Sequence, residues 1–321
     1  MKRIGFIVPY FGKLPDYFQV WLDSCKYNPT IDWLVFTDDQ KTFAYPENVH
    51  IYYCSFAEIQ TRVQRNYDFE INLKTAYKLC DYKVAYGEIF ADYLKDYDFW
   101  GFCDIDLIWG NIRSFYTEEI LNKYVKIGCQ GHATIFKNTA EINAAYRTRV
   151  EGNKSYREVY TQDSIGCTDV GYITRVFQTL QLPAYTETIY AGLQKYDPAF
   201  FLQAEPKELG YLNRRQVFLW ENGILTRYYL DGETLCSREY LYIHFFSRPM
   251  KNRIEKMDRV LIYPDCYKNF YAPVSYQVVK KYGKKSRLAY YYRVFKQNRK
   301  RLSLKKIVAY FRIKMRYEKT K

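Results

Sequence analysis

The chain has 321 residues, of which 48% are hydrophobic and 19% aromatic, with 36 Tyr and a formal net charge of +14. Its hydrophobic content is ample for a core, and no apolar run reaches the roughly 18 residues that a membrane span needs. Eight scattered Cys without a Cys-x-x-Cys pair exclude a zinc ribbon or a thioredoxin-type site. The tyrosines indicate either an aromatic core or surfaces that stack on sugars.

The predicted elements of the first half alternate between strands and helices. The predicted strands are Ile4–Val8, Trp33–Thr37, Val49–Cys54 and Phe99–Cys103. The predicted helices are Asp16–Cys25, one that begins at Phe56 with Ser55 as its N-cap, Asn72–Leu79 and Ala85–Leu94. This alternation predicts an α/β fold with a mostly parallel sheet flanked by helices.

The second half has a mixed pattern. Strands are predicted at Val125–Cys129, Ala133–Phe136, Arg215–Trp220, Ile224–Leu230 and Leu241–Phe246. Helices are predicted at Asn138–Arg149 and Asp169–Leu180. The tripeptide Glu221-Asn222-Gly223 predicts a hairpin turn between two of these strands.

The positive charge is concentrated at the C-terminus. Residues 280–321 contain 17 Lys/Arg and one acid, Glu318, so this segment carries +16 and residues 1–279 carry −2. We predict a catalytic domain over 1–279 and a basic tail over 280–321, whose residues 303–319 form an amphipathic helix. Such a helix suits an anionic membrane surface, and a charged helix packed on the body is the alternative. Nucleic acid is not predicted, because the body has no matching basic groove.

The most informative motif is Asp104-Ile105-Asp106, which directly follows the apolar strand Phe99–Cys103. Side chains two residues apart in an extended chain lie on one side, and ligands collect at the carboxyl ends of strands in such sheets. Paired carboxylates suit Mn²⁺ or Mg²⁺, and these ions commonly bind nucleotide phosphates as well. The motif therefore predicts a metal-assisted nucleotide site.

Four blocks carry a family resemblance: Tyr77–Phe90, Tyr97–Ile112, Gly131–Asn138 and Tyr240–Met250. Together they resemble a poorly characterised bacterial glycosyltransferase-like family associated with capsule and cell-surface polysaccharide synthesis. That family is similar to the GT-A nucleotide-sugar glycosyltransferases, whose Asp-x-Asp motif binds Mn²⁺ on UDP. The resemblance implies a GT-A-like, Rossmann-like fold for roughly residues 4–250.

The resemblance also implies roles for residues outside the motif. Binding of the nucleotide-sugar donor is expected from seven residues, which are Asp38, Asp39, Lys78, Asp81, Lys83, His132 and Arg248. His244 is expected as the third metal ligand, with a buried structural histidine as the alternative. Asp38 and Asp39 are alternatively solvated loop acids, and Asp81 and Lys83 alternatively form a surface ion pair.

Catalysis requires a general base for the acceptor hydroxyl if the transfer is inverting. Asp169 is the first candidate and Asp163 the reserve, and the alternative role of Asp169 is to cap its helix. Trp109 and Gly110 directly follow the metal pair, and we expect them to shape the sugar pocket by stacking and by close approach.

The predicted function is an inverting glycosyltransferase that transfers a sugar from a UDP-linked donor to a surface glycan or glycolipid. Free thiols and an N-terminus that resembles a strand favour the cytoplasm, and the tail favours the inner face of the plasma membrane. Two alternatives stay open, an inactive sugar- or nucleotide-binding scaffold of the same fold and a sugar nucleotidyltransferase. The latter needs a Gly-rich basic loop after the first strand, which Pro9–Gly12 does not supply.

Overall fold

The computed structural model describes residues 1–193, 200, 202 and 214–283. The strands of the first 193 residues are β1 (Ile4–Pro9), β2 (Ile31–Thr37), β3 (Val49–Tyr53), β4 (Phe99–Cys103), β5 (Leu107–Trp109), β6 (Lys126–Gln130), β7 (Ala133–Lys137), β8 (Ala184–Tyr185) and β9 (Ala191–Gly192). The helices are α1 (Phe18–Lys26), α2 (Phe56–Gln64), α3 (Tyr86–Ile89), α4 (Ile112–Phe115), α5 (Glu118–Lys123), α6 (Ala140–Ala144), α7 (Tyr156–Thr161) and α8 (Ile173–Thr179). Two 3₁₀ segments, Ala76–Ala85 and Ala145–Arg147, and a π-helical segment, Thr168–Tyr172, complete this part.

Seven strands form one sheet in the order β3-β2-β1-β4-β7-β6-β8. The first four run parallel, β7 is antiparallel to both β4 and β6, and β8 joins β6 in parallel. The central strand β4 is buried along its whole length, which explains its uninterrupted apolar sequence. The predicted α/β class with a mostly parallel sheet flanked by helices is confirmed.

A hydrophobic core lies on each face of this sheet. On one face, Val63 of α2 and Phe177 of α8 pack with the 3₁₀ segment 76–85. On the other face, Trp21 of α1 packs with Trp33 of β2, and their rings meet edge to face at 6.2 Å. Burying side chains of this size stabilises the fold by about 1.5–3 kcal/mol each.

Local signals predicted the first half well. Each predicted strand from Ile4 to Cys103 overlaps an observed strand. The predicted cap is confirmed, because the Ser55 side chain accepts a hydrogen bond from the Glu58 backbone and the Glu58 carboxylate reaches back to Ser55. Local side-chain chemistry therefore fixed the start of α2.

The two α-helices predicted at 72–79 and 85–94 are wrong in type and extent. The segment 76–85 is a 3₁₀ helix, and α3 covers only four residues after it. Buried Leu79, Tyr82 and Ala85 recur every three residues. This spacing fits the 3.0 residues per turn of a 3₁₀ helix better than the 3.6 of an α-helix.

A second, antiparallel sheet follows in the C-terminal part. The elements of this C-terminal part are β10 (Gln216–Glu221), β11 (Ile224–Asp231), β12 (Thr234–Glu239), β13 (Tyr242–His244), β14 (Lys251–Arg253), β15 (Arg259–Tyr263), β16 (Cys266–Asn269) and α9 (Tyr276–Tyr282). Six of these strands form the order β12-β11-β10-β15-β16-β14. The predicted hairpin is confirmed, with Asn222 at φ 47° and Gly223 at φ 86° between β10 and β11.

A small sheet of β5, β13 and β9 connects the two larger ones. β13 runs antiparallel to β5 and parallel to β9. The indole N–H of Trp220 in β10 donates to the carbonyl oxygen of Trp109 in β5 at 2.7 Å. The C-terminal sheet is therefore fastened to the strand that directly follows the Asp104–Asp106 pair.

Helix α9 packs on the second sheet through Val279, which contacts Val217 and Leu261. The helix continues past the boundary predicted at residue 279, and the amphipathic helix predicted at 303–319 lies outside the described residues. Among the described helices, none is long and apolar enough to cross a membrane. All eight cysteines are free thiols.

Candidate active site

The Asp104–Asp106 pair lies at the carboxyl end of β4, in the parallel half of the sheet. One oxygen of each carboxylate and one ring nitrogen of His244 lie within 4.8 Å of one another. His244 is opposite Leu107 in the pairing of β13 with β5, and β5 begins directly after Asp106. This pairing brings together the three residues that were predicted as metal ligands, although His244 is 138 residues from Asp106.

His244 bridges the two carboxylates. Its Nε2 atom lies 3.0 Å from Asp106 Oδ1 and 3.5 Å from Asp104 Oδ2. The second oxygen of Asp106 accepts hydrogen bonds from the backbone N–H and the hydroxyl of Ser247. The backbone N–H of Asp104 donates to the carbonyl oxygen of His132 at 3.0 Å. Both carboxylates are thus fixed with one oxygen toward His244.

Lys83 supplies a second cation to the site. Its Nζ atom donates to Asp104 Oδ1 and to the carbonyl oxygen of Gly131, both at 2.7 Å, and lies 3.4 Å from Asp169 Oδ2. A Cβ atom at Gly131 would lie 2.3 Å from Asp169 Oδ2, so the cluster leaves no room for a side chain there. One ammonium group therefore joins a predicted metal ligand to the predicted base.

Charge pairing sets the protonation of this cluster. Burial opposes the charged forms of Asp104 and Lys83, but their partners outweigh it, so the pKa of Asp104 lies well below its usual range and that of Lys83 is raised. Burial also disfavours charged His244, yet its hydrogen bonds to Asp104 and Asp106 raise its pKa to about 9. The pKa of Asp169 is raised because its burial outweighs the charge of Lys83.

The residues fit a divalent metal ion. Two carboxylate oxygens and one imidazole nitrogen form a donor set that suits Mn²⁺, while an all-oxygen set suits Mg²⁺ better. Without a metal, protonated His244 supplies the positive charge between the two carboxylates. A divalent ion that displaced this proton would add one further positive charge between the two carboxylates and so neutralise both of them. Among the described residues, the buried Nδ1 atom of His244 has no hydrogen-bond partner.

His132 is buried against His244. The two rings stack with centroids 4.3 Å apart and planes at 24°. His132 Nδ1 is 2.8 Å from the Tyr242 hydroxyl, and the residue is buried. Burial and the neighbouring His244 hold the pKa of His132 well below its usual range, so the ring is neutral. These neighbours cover the ring, and the predicted sugar contact stays a prediction.

The two base candidates lie in different surroundings. Asp169 is in the Lys83 cluster, in the first turn of the π-helical segment, whose N-cap position is occupied by Cys167. The alternative that Asp169 caps its helix is therefore wrong. Asp163 is exposed and bonds to Asn72 at 2.8 Å and Lys74 at 3.1 Å. No contact within the described ranges joins Asp163 to the metal-ligand candidates.

Lys78 and Asp81 form a buried ion pair with a 3.1 Å contact. Lys78 also donates to the carbonyl oxygen of Ser164, and Asp81 accepts hydrogen bonds from the backbone N–H groups of Gly166 and Cys167. Both side chains are buried and bind the 164–167 loop, and their predicted donor contacts stay predictions. The alternative surface pair of Asp81 with Lys83 is wrong, since each has another partner.

Trp109 is fully buried, and its ring packs against Phe6 at 5.3 Å and Tyr242 at 5.2 Å. A Cβ atom at Gly110 would lie 2.5 Å from the carbonyl oxygen of Tyr240, so this glycine permits close strand packing. Both residues therefore have packing roles in the described structure, and their predicted role in the sugar pocket stays a prediction.

Arg248 is buried beside the site. Its Nε atom donates to the carbonyl oxygen of Pro264 at 2.7 Å. Arg248, Asp106, Tyr17 and Tyr267 are among the residues around a cavity of about 10 Å³, which is close to the space that one water molecule needs. Arg248 is thus buried at this cavity, and its predicted contact with a diphosphate stays a prediction.

Asp38 and Asp39 follow β2 and bind the loop after β1. Asp38 accepts a hydrogen bond from the Gly12 N–H at 2.7 Å. Asp39 accepts hydrogen bonds from the N–H groups of Leu14 at 2.7 Å and Lys41 at 3.0 Å, and these bonds lower its pKa. Both acids therefore shape this loop, and a contact with the donor's base or ribose stays a prediction.

Sequence reasoning missed several residues that support the site. Ser247 fixes Asp106 and stands beside Arg248 in a block that was already recognised. Gly131 leaves space for Asp169, and its position next to His132 in another block was its only signal. The pKa of Tyr17 is raised by burial and then by Asp106, but no sequence pattern marked this tyrosine.

Comparison with known proteins gives a family and three similar folds. A family described as "Family of unknown function (DUF6625)" matches residues 6–271. No curated protein sequence matches the chain. Similar solved structures include a glycosyltransferase involved in the glycosylation of the major capsid of PBCV-1, with 11% identity, a TM-score of 0.38 and coverage of 76% of this chain and 94% of that one.

Two further structures are glycosyltransferases as well. Mouse xyloside xylosyltransferase 1 in its apo form has 10% identity and a TM-score of 0.36, with 61% of this chain and 88% of that one covered. The apo-form glycosyltransferase GlyE of Streptococcus pneumoniae TIGR4 has 11% identity and a TM-score of 0.32, with 59% of this chain and 46% of that one covered. At these values, none of the three similarities carries weight for the activity of this chain.

Proposed function

We propose that this chain, which belongs to the DUF6625 family of unknown function, is a metal-dependent glycosyltransferase that uses a nucleotide-sugar donor. The convergence of Asp104, Asp106 and His244 within 4.8 Å at the carboxyl end of a parallel strand carries the proposal. Nucleotides bind at this edge of open α/β sheets, and acidic ligands there serve a cation that binds phosphate. The resemblance of the sequence blocks to glycosyltransferases supports the same class.

Asp104, Asp106 and His244 would hold the ion, for which Mn²⁺ is the first choice because one donor is nitrogen. A bound divalent cation stabilises the negative charge that develops on a departing diphosphate. Ser247 keeps Asp106 oriented, and Lys83 keeps Asp104 ionised. Asp38 and Asp39 place the loop after β1 at the same sheet edge, where we propose that the donor's nucleoside binds.

Asp169 would act as the base of an inverting transfer. The acceptor oxygen attacks the anomeric carbon and forms the new glycosidic bond, while the bond to the diphosphate breaks and its electron pair leaves with the phosphate. The acceptor proton goes to the Asp169 carboxylate, whose raised pKa favours proton uptake. Lys83 has a positioning role, since it fixes Asp169 next to Asp104.

The donor and acceptor are proposed at the level of chemical class. UDP is expected because Asp-x-Asp sites in the resembling enzymes bind this nucleotide, and the acceptor would be a surface glycan such as a capsular polysaccharide. If it is lipid-linked, the basic segment 280–321 would hold the enzyme on an anionic cytoplasmic membrane surface. Sedimentation with anionic and with neutral vesicles tests this, and equal binding to both would refute it.

Calorimetry with UDP tests the metal site. We expect UDP to bind in the presence of Mn²⁺ and the affinity to fall by at least about tenfold with EDTA, equivalent to about 1.4 kcal/mol. The double variant Asp104→Asn/Asp106→Asn should behave like the EDTA-treated protein, whereas the exposed acid variant Asp163→Asn is the matched control. Unchanged UDP affinity in the double variant would remove the metal role.

Turnover separates an enzyme from a binding scaffold. A panel of UDP-sugars is incubated with the protein and Mn²⁺, and release of UDP and free sugar is followed. We expect hydrolysis of at least one donor, with loss of hydrolysis in Asp169→Asn but retention of UDP binding. Metal-dependent UDP binding without hydrolysis of any donor would favour the scaffold.

A further inference from the structure

Tyr77 presents an unusual surface for an aromatic residue. Its side chain is 79% exposed, which is more than any other described tyrosine. Most of the other described tyrosines pack against neighbouring rings, but Tyr77 stacks on no aromatic ring within the described part of the chain. An exposed and unstacked ring leaves a large apolar face in water, and tyrosine is one of the side chains enriched at binding interfaces.

The 3₁₀ helix 76–85 aligns Tyr77 with the candidate active site. With three residues per turn, Tyr77, Cys80 and Lys83 lie in one row along this helix. The other two rows are buried except for half-buried Ala76, whereas this row has partly or fully exposed side chains. At about 2.0 Å per residue, Tyr77 lies roughly 12 Å from Lys83 along the axis. Lys83 is the last residue of the row, and its ammonium group contacts Asp104 and Asp169.

Next to this row, the exposed residues of segment 166–171 are uncharged, whereas Lys74, just before the helix, is exposed and pairs with Asp163. The 3₁₀ helix packs against the π-helical segment 168–172. In this segment, Asp169 contacts Lys83 and Val170 is 38% exposed. Cys167, just before this segment, is exposed as well. Partial burial raises the pKa of Tyr77, and Cys80, Cys167 and Asp104 act in the same direction, while Lys83 opposes them. An uncharged rim with an aromatic face suits a neutral sugar better than a phosphate.

We propose that Tyr77 is a stacking platform for a neutral oligosaccharide acceptor, whose reacting end extends along the Tyr77–Cys80–Lys83 row to Asp169. This inference rests on the proposed glycosyltransferase function and adds an acceptor subsite to it. The apolar C–H face of a pyranose ring would lie on the Tyr77 ring and remove that surface from water. Because the row is roughly 12 Å long, the sugar stacked on Tyr77 is not the reacting unit but a more distant unit of the oligosaccharide.

Calorimetry of the full chain with three neutral pentasaccharides, cellopentaose, maltopentaose and chitopentaose, tests the platform, with and without Mn²⁺ and UDP. At least one should bind, and Tyr77→Ala should weaken its binding about tenfold, equivalent to ~1.4 kcal/mol. Tyr77→Phe keeps the ring and should stay within about twofold of wild type. The matched control Tyr271→Ala changes another exposed tyrosine, which bonds to Asp258, and should bind like wild type.

The outcomes separate the platform from the proposed function. Failure of all three pentasaccharides to bind, equal affinity in Tyr77→Ala, or an equal loss in Tyr271→Ala would overturn the platform. Metal-dependent UDP binding by the same wild-type preparation reports on the donor site alone. UDP binding without a Tyr77 effect would refute only the platform, and a Tyr77 effect without UDP binding would refute the donor site.

Discussion

Gly131→Ala is the sharpest perturbation of the Lys83 cluster. The new Cβ atom would lie 2.3 Å from Asp169 Oδ2 and 2.7 Å from Asp169 Cγ, where ordinary van der Waals contact begins at 3.4 Å. Asp169 is short, buried and held by Lys83, so relief requires it to move by about 1 Å. Overpacking of this kind costs about 1–3 kcal/mol of stability.

The same displacement should reduce catalysis. A misplacement of about 1 Å at a catalytic group can lower the rate about 10²-fold. We therefore expect the kcat of metal-dependent UDP-sugar hydrolysis to fall by about that factor in Gly131→Ala. UDP affinity in Mn²⁺ should change less than about threefold, because Asp104, Asp106 and His244 are fixed by other contacts.

The matched control is Gly171→Ala. Gly171 lies in the same π-helical segment as Asp169, and a Cβ atom at Gly171 would have no neighbour within 4 Å. This variant should keep wild-type stability and hydrolysis, measured by chemical denaturation and UDP release. If Gly131→Ala also hydrolysed donors at the wild-type rate, Asp169 would not be the base and the described cluster would be irrelevant to catalysis.

Three further predictions concern single residues. Lys83→Met should lower the free energy of unfolding by up to about 3 kcal/mol, a value reduced for solvent screening because Asp104 is one-third exposed. Mn²⁺ should restore part of this loss. An unchanged free energy of unfolding in chemical denaturation would contradict the pairing. Trp109→Ala should cost about 3–5 kcal/mol of stability, and wild-type stability with weaker donor binding would instead favour a sugar-pocket role. The metal must displace a proton from His244, whose pKa is about 9, so the affinity for UDP with Mn²⁺ should rise from pH 6.5 to 8.5. Calorimetry in buffers of different ionisation enthalpy should show the release of this proton, and His244→Gln should lack it.

The sequence was most informative where function and local structure share one signal. Alternating strands and helices predicted the parallel half of the sheet, and Asp104-x-Asp106 stands out because charge follows a buried strand. The position of His244 was predicted only through resemblance. Its approach depends on the register of β13 against β5, a three-residue strand that is too short to be recognised from a pattern.

Burial was the property that sequence reasoning misjudged. Lys78 and Asp81 are charged residues, so a role in ligand binding was the natural interpretation, yet they neutralise each other in the core and bind a loop. Trp109 follows the motif but lies in the core with Leu107, while Ile108 between them packs in a different core, because side chains alternate along β5. Whether a polar or aromatic side chain faces ligand or core depends on tertiary packing, which one sequence does not reveal.

The central claim is that Asp104, Asp106 and His244 hold a divalent ion on the diphosphate of a nucleotide. Pulsed electron paramagnetic resonance of Mn²⁺ with the protein and UDP measures this directly. The account predicts ³¹P couplings from the diphosphate and a ¹⁴N coupling from imidazole that disappears in His244→Gln. A Mn²⁺ spectrum that the protein leaves unchanged, or a ¹⁴N coupling that persists in His244→Gln, would contradict it.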